Sequence, residues 1–146
     1  MGDSISKIQV AVIPAAGVGR RAYPASRSLP KVLWEIDGRS LLVRNIELLR
    51  DQADIKKFIV VVGDHRDQIQ SVLQASDLNV EIEIVHCEDP QKGLAEGLLL
   101  VEKRVPEAFV TILGDELYLD SKHAEFLQYW RPDMAALCGF IPGAPP

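Results

Sequence analysis

The sequence predicts an α/β fold with a mostly parallel sheet covered on both faces. Two patterns predict it: short, nearly continuous apolar runs, the mark of strands buried on both sides, and intervening stretches whose apolar residues recur at helical spacing. Strands separated by helices of this length pair in parallel, with the helices layered over the sheet. At 146 residues and 47% hydrophobic, the chain makes a single domain, 1–146, that can bury a core. It has no long apolar span, no charged-then-apolar leader and no repeat, so the expectation is a cytoplasmic protein that neither enters a membrane nor is exported.

Lys7 to Ile13 reads as the first strand and, being almost wholly apolar, as a central one. Val32 to Ile36 is a short extended piece that ends in the turn pair Asp37-Gly38. Ser40 then caps a helix whose stripe is Leu42, Ile46, Leu49 and Ala53. Phe58 to Val62 is a second buried strand, and Gly63-Asp64 opens a helix with Ile69, Val72 and Leu73 on one side. From Val80 to Val85 apolar and acidic residues alternate, which suits a half-exposed strand near an edge. Leu94, Leu98, Val101 and Val105 form the face of a helix that ends before Pro106. Phe109 to Leu113 is another buried strand, followed by Gly114-Asp115-Glu116, a helix with His123, Leu127 and Trp130, and a last apolar run from Met134 to Ile141. Residues 142 to 146 read as a flexible tail.

Residues 13 to 31 organise the rest. The first strand empties into a loop with Gly17 and Gly19, followed by Arg20, Arg21, Arg27 and Lys31. Glycines at a strand end let backbone N–H groups approach an anion closely, and the cations supply charge. From Ser4 to Trp34 there are five basic residues and no acid, whereas the rest of the chain has 11 basic against 21 acidic residues. A positive island on an acidic protein points to a small anionic ligand and away from a nucleic-acid track. In a parallel sheet, ligands bind at the carboxyl ends of the strands, where both this loop and Gly114-Asp115 fall.

Gly17-Val18-Gly19-Arg20-Arg21-Ala22 also matches the dinucleotide fingerprint with alanine last, and Glu35 or Asp37 stands near the place of its ribose-binding acid. That motif needs a helix starting at the glycines, and Pro24 and Pro30 bar one from continuing there. An open loop is expected instead. No Gly-Lys-Ser or Gly-Lys-Thr occurs.

Gly17-x-Gly19-x-Arg21, then Pro24, then Pro30-Lys31 resembles the signature of the sugar-1-phosphate nucleotidyltransferases, the nucleoside-diphosphate-sugar pyrophosphorylases. Ile13-Pro14-Ala15-Ala16-Gly17 and Pro24-Ala25-Ser26 are most similar to the bacterial glucose-1-phosphate uridylyl- and thymidylyltransferases. Gly93-Leu94-Ala95-Glu96-Gly97 resembles the family's segment beside the base, Leu113-Gly114-Asp115 its metal-binding Gly-Asp, and Val61-Val62-Gly63 also fits. The likeness runs from residue 8 to about 119. It implies a three-layer αβα Rossmann-like nucleotidyltransferase fold and transfer of NMP from an NTP to a sugar 1-phosphate, or another small phosphomonoester, with release of pyrophosphate. It also implies a site: the backbone of Ala15, Ala16, Gly17 and Gly19 for base and phosphates, Arg21 as a clamp, Lys31 at the α-phosphate, Gly93 beside the base, and Asp115 as ligand of Mg²⁺.

The chain departs from the pattern at three points. Arg20 stands where the family usually has threonine and brings a second guanidinium; some isoprenoid-pathway cytidylyltransferases carry arginine there but lack the Pro24 spacing. Glu88 takes the place of a glutamine that reads uracil or thymine. An ionised glutamate only accepts hydrogen bonds, which leaves the base open and guanine, with two donors on one edge, among the candidates. The family's sugar pocket and second metal-binding aspartate lie further along a longer chain. The sequence therefore expects the nucleotide-binding part only: a fragment or minimal member, a non-catalytic nucleotide-binding or regulatory subunit, or a half-site that a partner completes, with an open sheet edge favouring a homo-oligomer.

The remaining candidates read as structural. His65, His86 and His123 have no metal-ligand spacing, Cys87 and Cys138 read as reduced core or strand-end thiols, and Trp34 and Trp130 suit core or interface. Asp115, Glu116 and Asp120 read either as a metal cluster or, for the last two, as the charged N-terminus of a helix.

Overall fold

The fold is built on one four-stranded sheet. The computed structural model describes residues 8–139. Its strands are β1 (Val10–Ala15), β4 (Lys57–Val62), β5 (Glu81–His86) and β6 (Val110–Thr111), in the order β5-β4-β1-β6 and all in parallel. β1 is central, as its unbroken apolar run predicts, and pairs along its whole length with β4, from Val10 opposite Lys57 to Ala15 opposite Val62.

Because successive strand residues face opposite ways, the apolar runs feed two cores. Ala11, Ile13 and Ala15 of β1 share one face with Phe58, Val60 and Val62 of β4, under the helices α2 (Leu41–Ala53) and α3 (Arg66–Ala75). Val12, Ile59, Val61, Val85 and Cys87 face the other way, against Leu98 of α4 (Leu94–Leu99) and Val101. The result is the three-layer α/β arrangement with a parallel sheet.

Local chemistry sets the element ends. The Ser40 hydroxyl accepts from the Val43 N–H at 3.3 Å, capping α2 as expected. Asp37 and Gly38 both have positive φ, 52° and 71°, which closes the two-residue hairpin between β2 (Glu35–Ile36) and β3 (Arg39–Ser40). β5 is the edge strand that its alternation predicts; Lys57 Nζ lies 3.1 Å from Glu81 and 3.0 Å from Glu83.

Several expectations change. The stretch after Gly19 is a chain of single helical turns instead of an open loop: 3₁₀ turns at Arg20–Ala22 and Lys31–Leu33, with α1 (Ala25–Ser28) between them. Pro24 and Pro30 stand directly before α1 and the second 3₁₀ turn, where a missing N–H costs nothing. They forbid a long helix and still allow short ones. The helix from Leu94 is shorter than its stripe predicts; it stops at Leu99, and a 3₁₀ turn at Glu102–Arg104 follows. The run Phe109 to Leu113 contributes only the two ladder residues of β6. Cys138 is exposed and in no strand, against the expectation of a core or strand-end thiol. α5 (His123–Leu127) begins too late for Glu116 or Asp120 to lie in its first turn. Met134 to Gly139 form no strand, and the rest of that run and the tail lie outside the described residues. Among the described residues, no helix is long and apolar enough to cross a membrane.

Candidate functional site

The carboxyl ends of β1, β4 and β6 open onto a cavity of about 650 Å³. Of the residues singled out from the sequence, Ala15, Ala16, Gly17, Gly19, Arg20, Arg21, Lys31, Gly93 and Asp115 line it, although they come from four separate stretches of chain. Glu88 does not: it is exposed and stands outside the lining, while its neighbour Cys87 is buried and forms part of the wall. Gln91, Val61, Gly97 and Leu113 also line the cavity.

The loop is held from beneath. Gly19 sits in the left-handed region, φ 64°, and its carbonyl accepts a hydrogen bond from the Ser26 hydroxyl at 2.7 Å. Ser26 is buried, so the first turn of α1 is a floor that fixes the loop's bend. On the other side Ala16 rests on Gly63; a Cβ there would lie 2.9 Å from the Ala16 carbonyl oxygen. Arg20 and Arg21 are exposed and pair with no acid among the described residues.

Asp115 follows β6 in a turn packed hard against β1. A Cβ on Gly114 would come within 3.1 Å of Ile13 Cγ2, 3.2 Å of Val32 Cγ1 and 3.3 Å of the Pro14 carbonyl oxygen, so a side chain there would have to push these neighbours back by a few tenths of an ångström. The Lys31 ammonium donates to Asp115 Oδ2. This contact joins two residues far apart in sequence, the one expected at the α-phosphate and the one expected at a metal.

Next to this pair Glu116 accepts from the Tyr118 hydroxyl at 2.7 Å, and the Tyr118 ring meets His123 edge-on, 5.0 Å between centroids. Burial, with Glu116 as the second cause, pushes the Tyr118 hydroxyl above its ordinary range, and burial holds the His123 imidazole below its own. Glu116 is thus engaged by Tyr118. No group of three or more His, Cys, Asp or Glu side chains converges among the described residues, so the three-acid cluster at Asp115, Glu116 and Asp120 is not assembled. Asp115 alone brings a carboxylate to the cavity wall from that run. A single carboxylate still fits a hard divalent cation of the Mg²⁺ type, which commonly takes one or two carboxylates and completes its shell with phosphate oxygens and water.

Comparison with known proteins gives the chain's family. Residues 11–139 match the model of the MobA-like NTP transferase domain, and the chain belongs to that family. It is 32% identical over 112 residues to a bifunctional IPC transferase and DIPP synthase of Aquifex aeolicus, covering 76% of this chain and 26% of that protein. It is 36% identical over 108 residues to the UTP–glucose-1-phosphate uridylyltransferase AglF of Haloferax volcanii, covering 74% of this chain and 44% of that one. Among solved structures, the inositol-1-phosphate CTP transferase from T. maritima superposes with a TM-score of 0.67 at 29% identity, over 84% of this chain and 48% of the other. HddC from Yersinia pseudotuberculosis gives 0.71 at 25%, over 83% and 53%. The chain therefore spans less than half the length of these two curated relatives and about half of these solved chains.

Sequence reasoning missed Ser26 as the floor of the loop and Asn45, whose amide nitrogen lies 3.1 Å from both the Leu113 and the Glu116 carbonyl oxygens. The signal for Asn45 was present: it stands three residues after Leu42 and four before Leu49, an amide on an otherwise apolar stripe.

Proposed function

We propose that the chain binds a nucleoside triphosphate and transfers its NMP to a sugar 1-phosphate, or another small phosphomonoester, in the cytoplasm. The observation that supports this best is the meeting of the glycine loop, its cations and the Lys31–Asp115 pair around one cavity at the strand ends. In the reaction a phosphate oxygen of the acceptor attacks the α-phosphorus; the bond from that phosphorus to the bridging oxygen breaks, and pyrophosphate leaves with the electron pair.

Little covalent chemistry is asked of the protein, since such transfers are catalysed by alignment and by charge placed on the phosphate oxygens. The backbone of Ala15, Ala16, Gly17 and Gly19 lies against the nucleotide, and Arg20 and Arg21 clamp the β- and γ-phosphates. Lys31, which donates to Asp115, would neutralise charge at the α-phosphate, and Asp115 would hold Mg²⁺, which would supply positive charge to the phosphate oxygens. Gly93 leaves room for the base. Cys87 and Gln91 flank it more directly than Glu88; the Gln91 amide offers both a donor and an acceptor, so it can read a pyrimidine or a purine edge.

The relatives frame the test without choosing the substrate. AglF is named for UTP and glucose 1-phosphate, and the T. maritima protein for CTP and inositol 1-phosphate. Pyrophosphate release is measured with Mg²⁺ and each of the four ribonucleoside triphosphates and dTTP, against sugar 1-phosphates and inositol 1-phosphate. Release with one pairing supports the transferase and fixes base and acceptor together. Saturable nucleotide binding with no release across the panel overturns it in favour of a binding module.

A further inference from the structure

We propose that Asn45, in the middle of α2, is the positioning residue that sets the Asp115 carboxylate against Lys31 and the cavity. The inference rests on the transferase reading for what Asp115 does. Its geometry stands independently of that reading.

Asn45 is 2% exposed, on a helix face whose neighbours Leu42, Ile46 and Leu49 are fully buried, so the origin of its side chain is fixed by the core. Its two hydrogen bonds, 3.1 Å each, run to the carbonyls of Leu113 and Glu116. Both partners are acceptors, so only the NH₂ end of the amide can face them, and both its hydrogens are used. The two carbonyls bracket Gly114 and Asp115. A buried amide that served only its own helix would have no reason to grip a turn on both sides of one aspartate.

The turn needs such a grip. The β6 ladder ends at Thr111 and pairs on one side only, with β1. Beyond it the backbone tie to the sheet is a long hydrogen bond from the Gly114 N–H to the Pro14 carbonyl, 3.4 Å. Asn45 supplies two shorter bonds from a rigid helix. Partners that orient a ligating carboxylate without touching the metal characteristically change metal affinity or activity about 10–100-fold when removed.

The test compares the full chain with Asn45→Ala and Asn45→Leu. Leucine keeps the branched shape of asparagine, has no N–H to give and buries no charge, so it probes the role even where the cavity left by alanine prevents folding. Each of the four ribonucleoside triphosphates and dTTP is titrated in EDTA and again in Mg²⁺, and pyrophosphate release is followed in parallel. The expected result is metal-free binding within about twofold of wild type, with the Mg²⁺-dependent tightening reduced at least about tenfold. Two results overturn the role: variants that keep the wild-type response to Mg²⁺, or variants that lose metal-free binding to the same degree, which makes Asn45 a fold-holding residue only. A wild-type chain whose nucleotide affinity ignores Mg²⁺ overturns it as well. Tightening by Mg²⁺ that is lost in Asn45→Leu, in a chain that never releases pyrophosphate, upholds the positioning role and sinks the transferase reading alone.

Discussion

Replacing Gly19 with alanine tests whether the loop is pre-shaped by the fold or shaped by its ligand. At φ 64° an L side chain is strained by about 1–2 kcal/mol. The new Cβ would also lie 3.2 Å from both Cβ and Oγ of Ser26, which is 1% exposed and has no room to retreat. Opening that contact stretches the Ser26 bond to the Gly19 carbonyl, a hydrogen bond worth about 1 kcal/mol. The sum is about 2–3 kcal/mol, a substantial part of the 5–15 kcal/mol that holds a domain together. In a chain of this size it lowers the melting temperature by about 5–10 °C. Gly17→Ala is the control, since nothing lies within 4 Å of its Cβ position and no left-handed φ is recorded there. It should cost less than about 0.5 kcal/mol of stability while weakening nucleotide binding, because under the proposed function the methyl would stand where phosphate approaches. Urea unfolding gives the stabilities, read as midpoint shifts at unchanged slope, and nucleotide titration gives the affinities. Equal midpoints for the two variants would refute the reasoning.

Lys31→Ala should leave the melting temperature nearly unchanged, since a part-exposed ion pair is worth about 1 kcal/mol or less, yet abolish pyrophosphate release; turnover at the wild-type rate would remove Lys31 from the mechanism. Ser40→Ala should cost about 1 kcal/mol of unfolding free energy through loss of the α2 cap, measured by urea titration, and no loss would mean the 3.3 Å contact contributes nothing. His123 gives a pH dependence. Burial holds its folded pKa below the ordinary value, so its contribution is complete above about 6.5 and is lost as the pH falls through that value toward the lower folded one. Wild-type stability should therefore drop more steeply than that of His123→Asn as the pH falls below about 6.5, and parallel curves would count against it.

Much of the fold is legible because it is local. An unbroken apolar run at Phe58 to Val62, a serine before the stripe of Leu42, Ile46 and Leu49, and the turn pair Asp37-Gly38 after Ile36 each carry their own structural instruction, and each is found where expected. The loop after Gly19 was harder to read because proline acts oppositely inside a helix and before one. Phe109 to Leu113 looks like a full strand by composition, but ladder length depends on a partner, and β1 pairs with only two of its residues. The candidate site divides in the same way. Its glycines and cations stand out as a cluster, whereas the contacts of Asn45 cross 68 and 71 residues of sequence and follow from packing alone.

The pairing of Lys31 with Asp115 bears on the order of events at the site. Two opposite charges that face each other give little field beyond their own dipole, so under the proposed function a diffusing triphosphate would be drawn in mainly by Arg20 and Arg21, which stand exposed and without an acid partner among the described residues. The lysine's charge is held in reserve. It becomes available once something else satisfies the aspartate, and a triphosphate that arrives with its own cation brings what is needed. Under the proposed function, capture is then a task for the arginines and commitment a task for the lysine, and a polyanion that carries no metal is attracted to the cavity without being fully received there.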